Sequence, residues 1–129
     1  VGKKNGKGKS LINTGFRLRK GLNVSTKCAW ILKDRYFALT QKERESFPPI
    51  CPDFVAELRS RTDCLKPLQE KMVEYIENGV RLGWLIDPYQ KKVHIYRQNG
   101  EIKILENPKT VSGEDVLEGF ELDLEEIFT

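Results

Sequence analysis

Between Asp53 and Asp87 the chain changes hydrophobic period twice, and that change limits the fold more than any other feature. DFVAEL (53–58) is a strand-like run, barred from helix on its N-terminal side by Pro48, Pro49 and Pro52. In LKPLQEKMVEYIENG (65–79), Leu65, Leu68, Met72, Tyr75 and Ile76 fall on one face at helical spacing, and Asn78-Gly79 supplies the stop. Pro67 must then lie in or near the first turn. VRLGWLID (80–87) is a second apolar strand, ended by the turn signal Asp87-Pro88. KVHIYRQNGEIKIL (92–105) reads as a β-hairpin about Asn99-Gly100, a dipeptide suited to a type I′ turn. Strands flanking a helix, followed by a hairpin, describe an α/β domain with a mixed sheet.

Upstream, NTGFRLRKGLNV (13–24) suggests a hairpin about Lys20-Gly21, and CAWILK (28–33) a short buried strand. Thr40 with Glu43 three residues on is a capping box opening a short helix. LDLEEIF (122–128) suits one helical turn. The first residues, rich in Gly, Lys and Asn, read as a flexible basic leader over 1–11, leaving a single domain over 12–129. That leader lacks the spacing of a phosphate loop and any strand before it.

Composition excludes several classes. At 129 residues, 32% charged and 39% hydrophobic, the chain is suited to one packed core, and no apolar run is long enough to span a membrane. A cytoplasmic location is expected. Cys28, Cys51 and Cys64 form no CxxC pair and read as buried or half-buried structural thiols. Trp30 and Trp84 lie in apolar strands and are expected in the core. His94, the sole histidine, is expected to face away from it. The net charge of +3 conceals a basic N-terminal third and an acidic stretch from Glu114 to Glu126, which permits phosphate binding without requiring it.

The anomaly is Glu57. Strand alternation places Asp53, Val55, Glu57 and Arg59 on one face and Phe54, Ala56 and Leu58 on the other. An ionised carboxylate in a sheet must meet a cation. Either Glu57 pairs with Arg59 or another basic side chain, or it belongs to a divalent-metal site of the kind that holds a phosphate oxygen and an attacking water. Asp53, roughly 13 Å away along an extended strand, is poorly placed to share one ion with Glu57.

CPDFVAELRS, LQEKMVEYIENGVRLGWLIDP, TGFRL, AWI, SGEDVLEGF and LDLEEIF together resemble the Uma-type restriction endonuclease family of the PD-(D/E)XK nuclease superfamily, from about Thr14 to Phe128. The resemblance implies a restriction endonuclease-like α/β/α core and hydrolysis of DNA phosphodiesters with Mg2+ or Mn2+, often by a homodimer. It makes Glu57, Lys71 and Asp53 the candidate catalytic residues. Glu57 is the metal-binding carboxylate of the motif. Asp53 matches the Pro-Asp at the strand entrance and would contact the metal through water or support the site. The lysine position moves to the helix, at Lys71, with Gln69 on the other flank of the apolar stripe. Arg59 stands where the superfamily lysine would otherwise fall; it cannot readily give up a proton but can hold a phosphate.

Two departures qualify that expectation. Where the family usually reads Ser-Pro-Asp before AWI, this chain reads Ser25-Thr26-Lys27, so Lys27 replaces the first metal-binding aspartate. Asp34 and Asp63 are alternative acids without a spacing argument. Family members also carry more chain before TGFRL, which reads as an N-terminal truncation. The expected function is a metal-dependent DNA endonuclease, catalytically impaired by Lys27. The alternative is an inactive nuclease-fold module that binds DNA or a protein.

Overall fold

The computed structural model describes residues 8–17, 23–45 and 50–128, with side chains from 28 onward. Eight strands and three helices follow in order. They are β1 (Gly8–Arg17), β2 (Asn23–Leu32), α1 (Lys33–Phe37), α2 (Gln41–Glu45), β3 (Phe54–Leu58), α3 (Leu65–Glu77), β4 (Leu82–Asp87), β5 (Lys92–Arg97), β6 (Ile102–Glu106), β7 (Thr110–Ser112) and β8 (Glu121–Asp123). The first six strands form one sheet in sequential order. Every neighbouring pair is antiparallel except β3 and β4, which run parallel because α3 carries the chain back between them. The sheet is therefore mixed, as the strand–helix–strand pattern requires.

Alternation along β3 sorts the two cores as expected. Val55 joins Ala29, Ile31, Leu85, Tyr96, Met72 and Tyr75 under α3. Phe54 packs with Trp30, Trp84 and Ile86 on the opposite face. That second face is covered by the two-stranded β7–β8 sheet and the turns around it, through Val111, Leu117, Leu124 and Phe128. The terminal segment is thus partly strand, with a turn at Leu124–Phe128 closed by hydrogen bonds to Leu124 O. Among the described residues no helix is long and apolar enough to cross a membrane.

Several local signals form as read. Thr40 Oγ1 accepts from Glu43 N at 3.1 Å and Glu43 Oε1 accepts from Thr40 N at 2.8 Å, the reciprocal capping box. Pro67 is the third residue of α3, and Gly79 takes φ 112° just past its end. Other signals need correction. β1 begins at Gly8, so residues 8–11 belong to a ten-residue strand rather than to a leader; residues 1–7 lie outside the described residues, as does the Lys20-Gly21 turn. The β5–β6 hairpin forms, but its turn is not type I′. Gly100 N bonds Arg97 O at 2.9 Å with Gly100 at φ 91°, while Asn99 keeps negative φ and accepts from Glu101 N through its side chain. That is a three-residue loop in which only the glycine position needs the left-handed region. Helix α1, which lacks an apolar stripe, gave no sequence signal.

Gly83 leaves room on the sheet for the end of the buried Met72 side chain of α3. A Cβ at this position would stand 2.7 Å from Met72 Cε and 3.4 Å from Val55 Cγ2. Gly83→Val should therefore destabilise the fold by about 1–3 kcal/mol through overpacking, read as a lower urea midpoint.

Candidate active site

Glu57 is 2% exposed, on the α3 face of β3. Its parallel neighbour in β4 is Leu85. On the other side Cys28 of β2 pairs with Ala56, and extending that antiparallel register by one residue brings Lys27 opposite Glu57. The cation that meets the carboxylate comes from the helix. Lys71 Nζ lies 3.3 Å from Glu57 Oε2 and 6.0 Å from the centre of the Tyr75 ring. Lys71 flanks the buried Met72 and Tyr75 on α3, so the packing of those two side chains aims the ammonium at the sheet. Oε2 is itself buried and finds no hydrogen-bond donor among the described residues, so its contact with Lys71 is an ion pair without hydrogen-bond geometry. Burial raises the Cys28 thiol pKa, and the Glu57 carboxylate nearby raises it further.

Asp53 is held elsewhere. Its Oδ1 lies 2.8 Å from Arg35 Nη1 of α1 and 3.8 Å from Arg81 Nη1, and its Oδ2 accepts from Leu32 N at 2.9 Å. Both oxygens are engaged in tying the end of β2 to the entrance of β3. The structure brings Glu57 and Lys71 together, but it gives Asp53 different partners. Asp63 closes a turn by accepting from Ser60 N and Ser60 Oγ, and Asp34 is exposed in the first turn of α1. Gln69 is half-buried on α3.

Magnesium or manganese, implied by the resemblance, favours carboxylate and water oxygens in an octahedral shell. Glu57 fits such an ion through Oε2, which has the Lys71 ammonium beside it but accepts no hydrogen bond among the described residues. A second acid does not join it, and among the described residues no group of three or more His, Cys, Asp or Glu is placed to hold a metal. Glu57 would then be the acid that holds the ion, with water and phosphate oxygens filling the rest of its shell.

Beyond Glu57 the same face of the sheet carries charges that sequence reading did not place. Asp87, 0% exposed at the end of β4, accepts from Arg59 Nη1 at 2.9 Å through Oδ2 and from Tyr89 N and Gln90 N through Oδ1. Asp87-Pro88 announced a turn; nothing in it announced a buried charge. His94, expected to face outward, is 3% exposed, because β5 is an inner strand and its partner Leu85 lies under α3. Of the cysteines, Cys28 and Cys51 are half-buried as expected and Cys64 is exposed.

A family model, Uma2, described as "Putative restriction endonuclease", matches residues 2–125. Among solved structures, a putative nuclease belonging to DUF820 from Anabaena variabilis is similar over 99% of this chain and 72% of that one, with TM-score 0.83 and 18% identity. A second similarity, to the DrdV–DNA complex, covers 81% of this chain and 8% of that one, with TM-score 0.48 and 12% identity. The first is a likeness of fold; the second is too low to argue from. Among curated proteins, none matches.

Lys71→Met should lower stability by about 1–3 kcal/mol by leaving the buried Glu57 carboxylate without its cation, whereas Lys71→Met combined with Glu57→Leu should recover most of that loss in urea unfolding. His94 supplies a pH test. Burial lowers its pKa, Asp87 opposes that shift and Lys92 reinforces it. The unfolded chain therefore binds the proton first as pH falls. Stability should decline as pH drops below about 6.5 and level off below the folded pKa. A His94→Gln variant should show a flatter profile between pH 7.5 and 5.5.

Proposed function

We propose, for a chain that belongs to the Uma2 family of putative restriction endonucleases, that it acts on DNA through the face bearing Glu57 and Lys71, and that its phosphodiester cleavage is impaired. One observation carries this reading. A buried carboxylate and a lysine from a different element meet at 3.3 Å in mid-sheet, while the register position across from that carboxylate holds Lys27 rather than an acid. The pair supports nuclease ancestry; the second cation is what argues against full activity.

The residues can be given chemical roles without invoking the ion. Lys71, 30% exposed, can turn its ammonium to a phosphate oxygen and stabilise charge that develops there. Glu57, released from that pairing, can accept a proton from water or hold a cation. Mg2+ or Mn2+, held by Glu57, would supply Lewis acidity and a more acidic bound water. Extending the β2–β3 register puts position 27 across from Glu57, and there this chain has a lysine where the resemblance implies an aspartate. Cutting both strands of a duplex takes two copies of one such site, so a homodimer belongs to the same proposal.

A second reading, an intact endonuclease, is favoured by Glu57 Oε2, which accepts no hydrogen bond among the described residues and could bind a metal. Plasmid nicking in Mg2+ or Mn2+ separates the two. Impairment predicts that the parent chain is nearly silent, that Lys27→Asp gains nicking, and that adding Glu57→Ala to Lys27→Asp removes the gain. Nicking by the parent that disappears in Glu57→Ala would establish the intact enzyme instead.

A further inference from the structure

We infer that the outer edge of β6 is an interface between two copies of this chain, which pair their β6 strands antiparallel about a two-fold axis at Ile104. This surface deepens the homodimer reading above, on which it rests. β6 ends the six-stranded sheet, and within that sheet only β5 hydrogen-bonds to it. Arg97 N bonds Glu101 O at 2.9 Å across that pair, so Glu101, and by alternation Lys103 and Leu105, turn their backbone groups toward β5. Ile102, Ile104 and Glu106 then turn their N–H and C=O groups outward, where no strand meets them among the described residues.

The side chains along that edge are apolar. Ile102 and Ile104 lie on the α3 face, across from Tyr96 and His94 in the register, and are 50% and 51% exposed. Val73 of α3 is 41% exposed, and with Ile76, Tyr96 and Ile102 it lines a cleft of about 210 Å3 between the helix and the hairpin. Open backbone groups and exposed apolar side chains thus coincide on one strand, the combination that templates pairing with another chain. Lys103, the residue type that guards such an edge, points with Leu105 to the opposite face, beside Ile95 and Val93.

The strand is complementary to itself in one register. Centred on Ile104, all of Ile102–Glu106 overlaps its counterpart: Ile104 meets Ile104, Ile102 meets Glu106, and Lys103 meets Leu105. No like charges stand directly opposite. The outward groups of Ile102, Ile104 and Glu106 would exchange about six backbone hydrogen bonds. Moving the centre to Lys103 opposes that lysine to its own counterpart. Moving it to Ile102 or Leu105 shortens the overlap, because Gly100 at φ 91° and Asn107 at φ 49° have left the strand. The register that fits is a symmetric one, and a second copy supplies that symmetry by itself.

The test is sedimentation equilibrium of the full chain without DNA, beside Ile104→Lys, with circular dichroism to show that each is folded. The parent should dimerise below about 100 μM. Ile104→Lys sets two ammonium groups together at the axis and should weaken the dimer roughly tenfold or more. A parent that stays monomeric at that concentration overturns the inference, as does a folded Ile104→Lys that dimerises as tightly as the parent. If Ile104→Lys fails to fold, Ile104→Cys decides, made with Cys64→Ser to remove the exposed thiol. Directly opposed Cα atoms in a hydrogen-bonded pair lie about 5.5 Å apart, within reach of a disulfide. Mild oxidation should therefore join two copies of Ile104→Cys; no more covalent dimer than Cys64→Ser alone gives would overturn the interface. No arm contains DNA, so failure here removes this surface and leaves the DNA-directed reading to plasmid nicking.

Discussion

A carboxylate in the middle of a sheet has to be met by a cation, and the apolar packing that seats α3 on the sheet is what delivers one. Glu57 points into the space between sheet and helix, where water is excluded and an unpaired charge would cost several kcal/mol. Lys71 reaches it because Met72 and Tyr75 lock the helix face, and Met72 can lie low because Gly83 beneath it has no side chain. The crossover that makes β3 and β4 parallel is the same helix. Topology, packing and charge pairing thus converge on one stretch of α3.

Among the described residues three carboxylates are buried, and their partners divide them by chemistry. Asp53 at the entrance of β3 is met by Arg35 and Arg81, and Asp87 at the exit of β4 by Arg59. Guanidinium groups do not give up protons near neutrality and bind in fixed forks, so these pairs behave as clasps. Glu57 alone of the three is met by a lysine, a flexible point charge that can turn from carboxylate to phosphate. The difference explains why the Glu57 pair, rather than either clasp, is the place to look for chemistry. It also explains why Asp53, a plausible metal contact on sequence, is committed to holding strands together.

Much of this was legible before any coordinates. Period changes identified β3, α3 and β4, the Asn99-Gly100 pair identified a hairpin, and the Thr40–Glu43 spacing identified a capping box, because each depends on interactions within a few residues. Glu57 and Lys71 were singled out as partners to a common site through the family resemblance, and the helical wheel allowed Lys71 to reach the sheet. His94 is buried rather than outward-facing, and a lone histidine carries no sign in sequence of which strand will flank it. The hairpin turn departs from type I′, with Asn99 accepting the Glu101 N–H through its side chain, a choice that alternation and dipeptide preference do not register.

By itself the sequence determined what local physics can determine: the order of strands and helices, the side of β3 on which each residue falls, and the presence of a charge that would need a partner. Only the tertiary structure decided which partner. Arg35 and Arg81 come to Asp53 from positions 18 residues before it and 28 after it, and Asp87 comes to Arg59 across 28 residues. Coulombic attraction depends on distance and burial, and neither is a property of spacing along the chain. The same reasoning governs Lys27, whose register position opposite Glu57 exists because β2 and β3 pair antiparallel. The pairing of those strands decides which position of β2 lies across from Glu57.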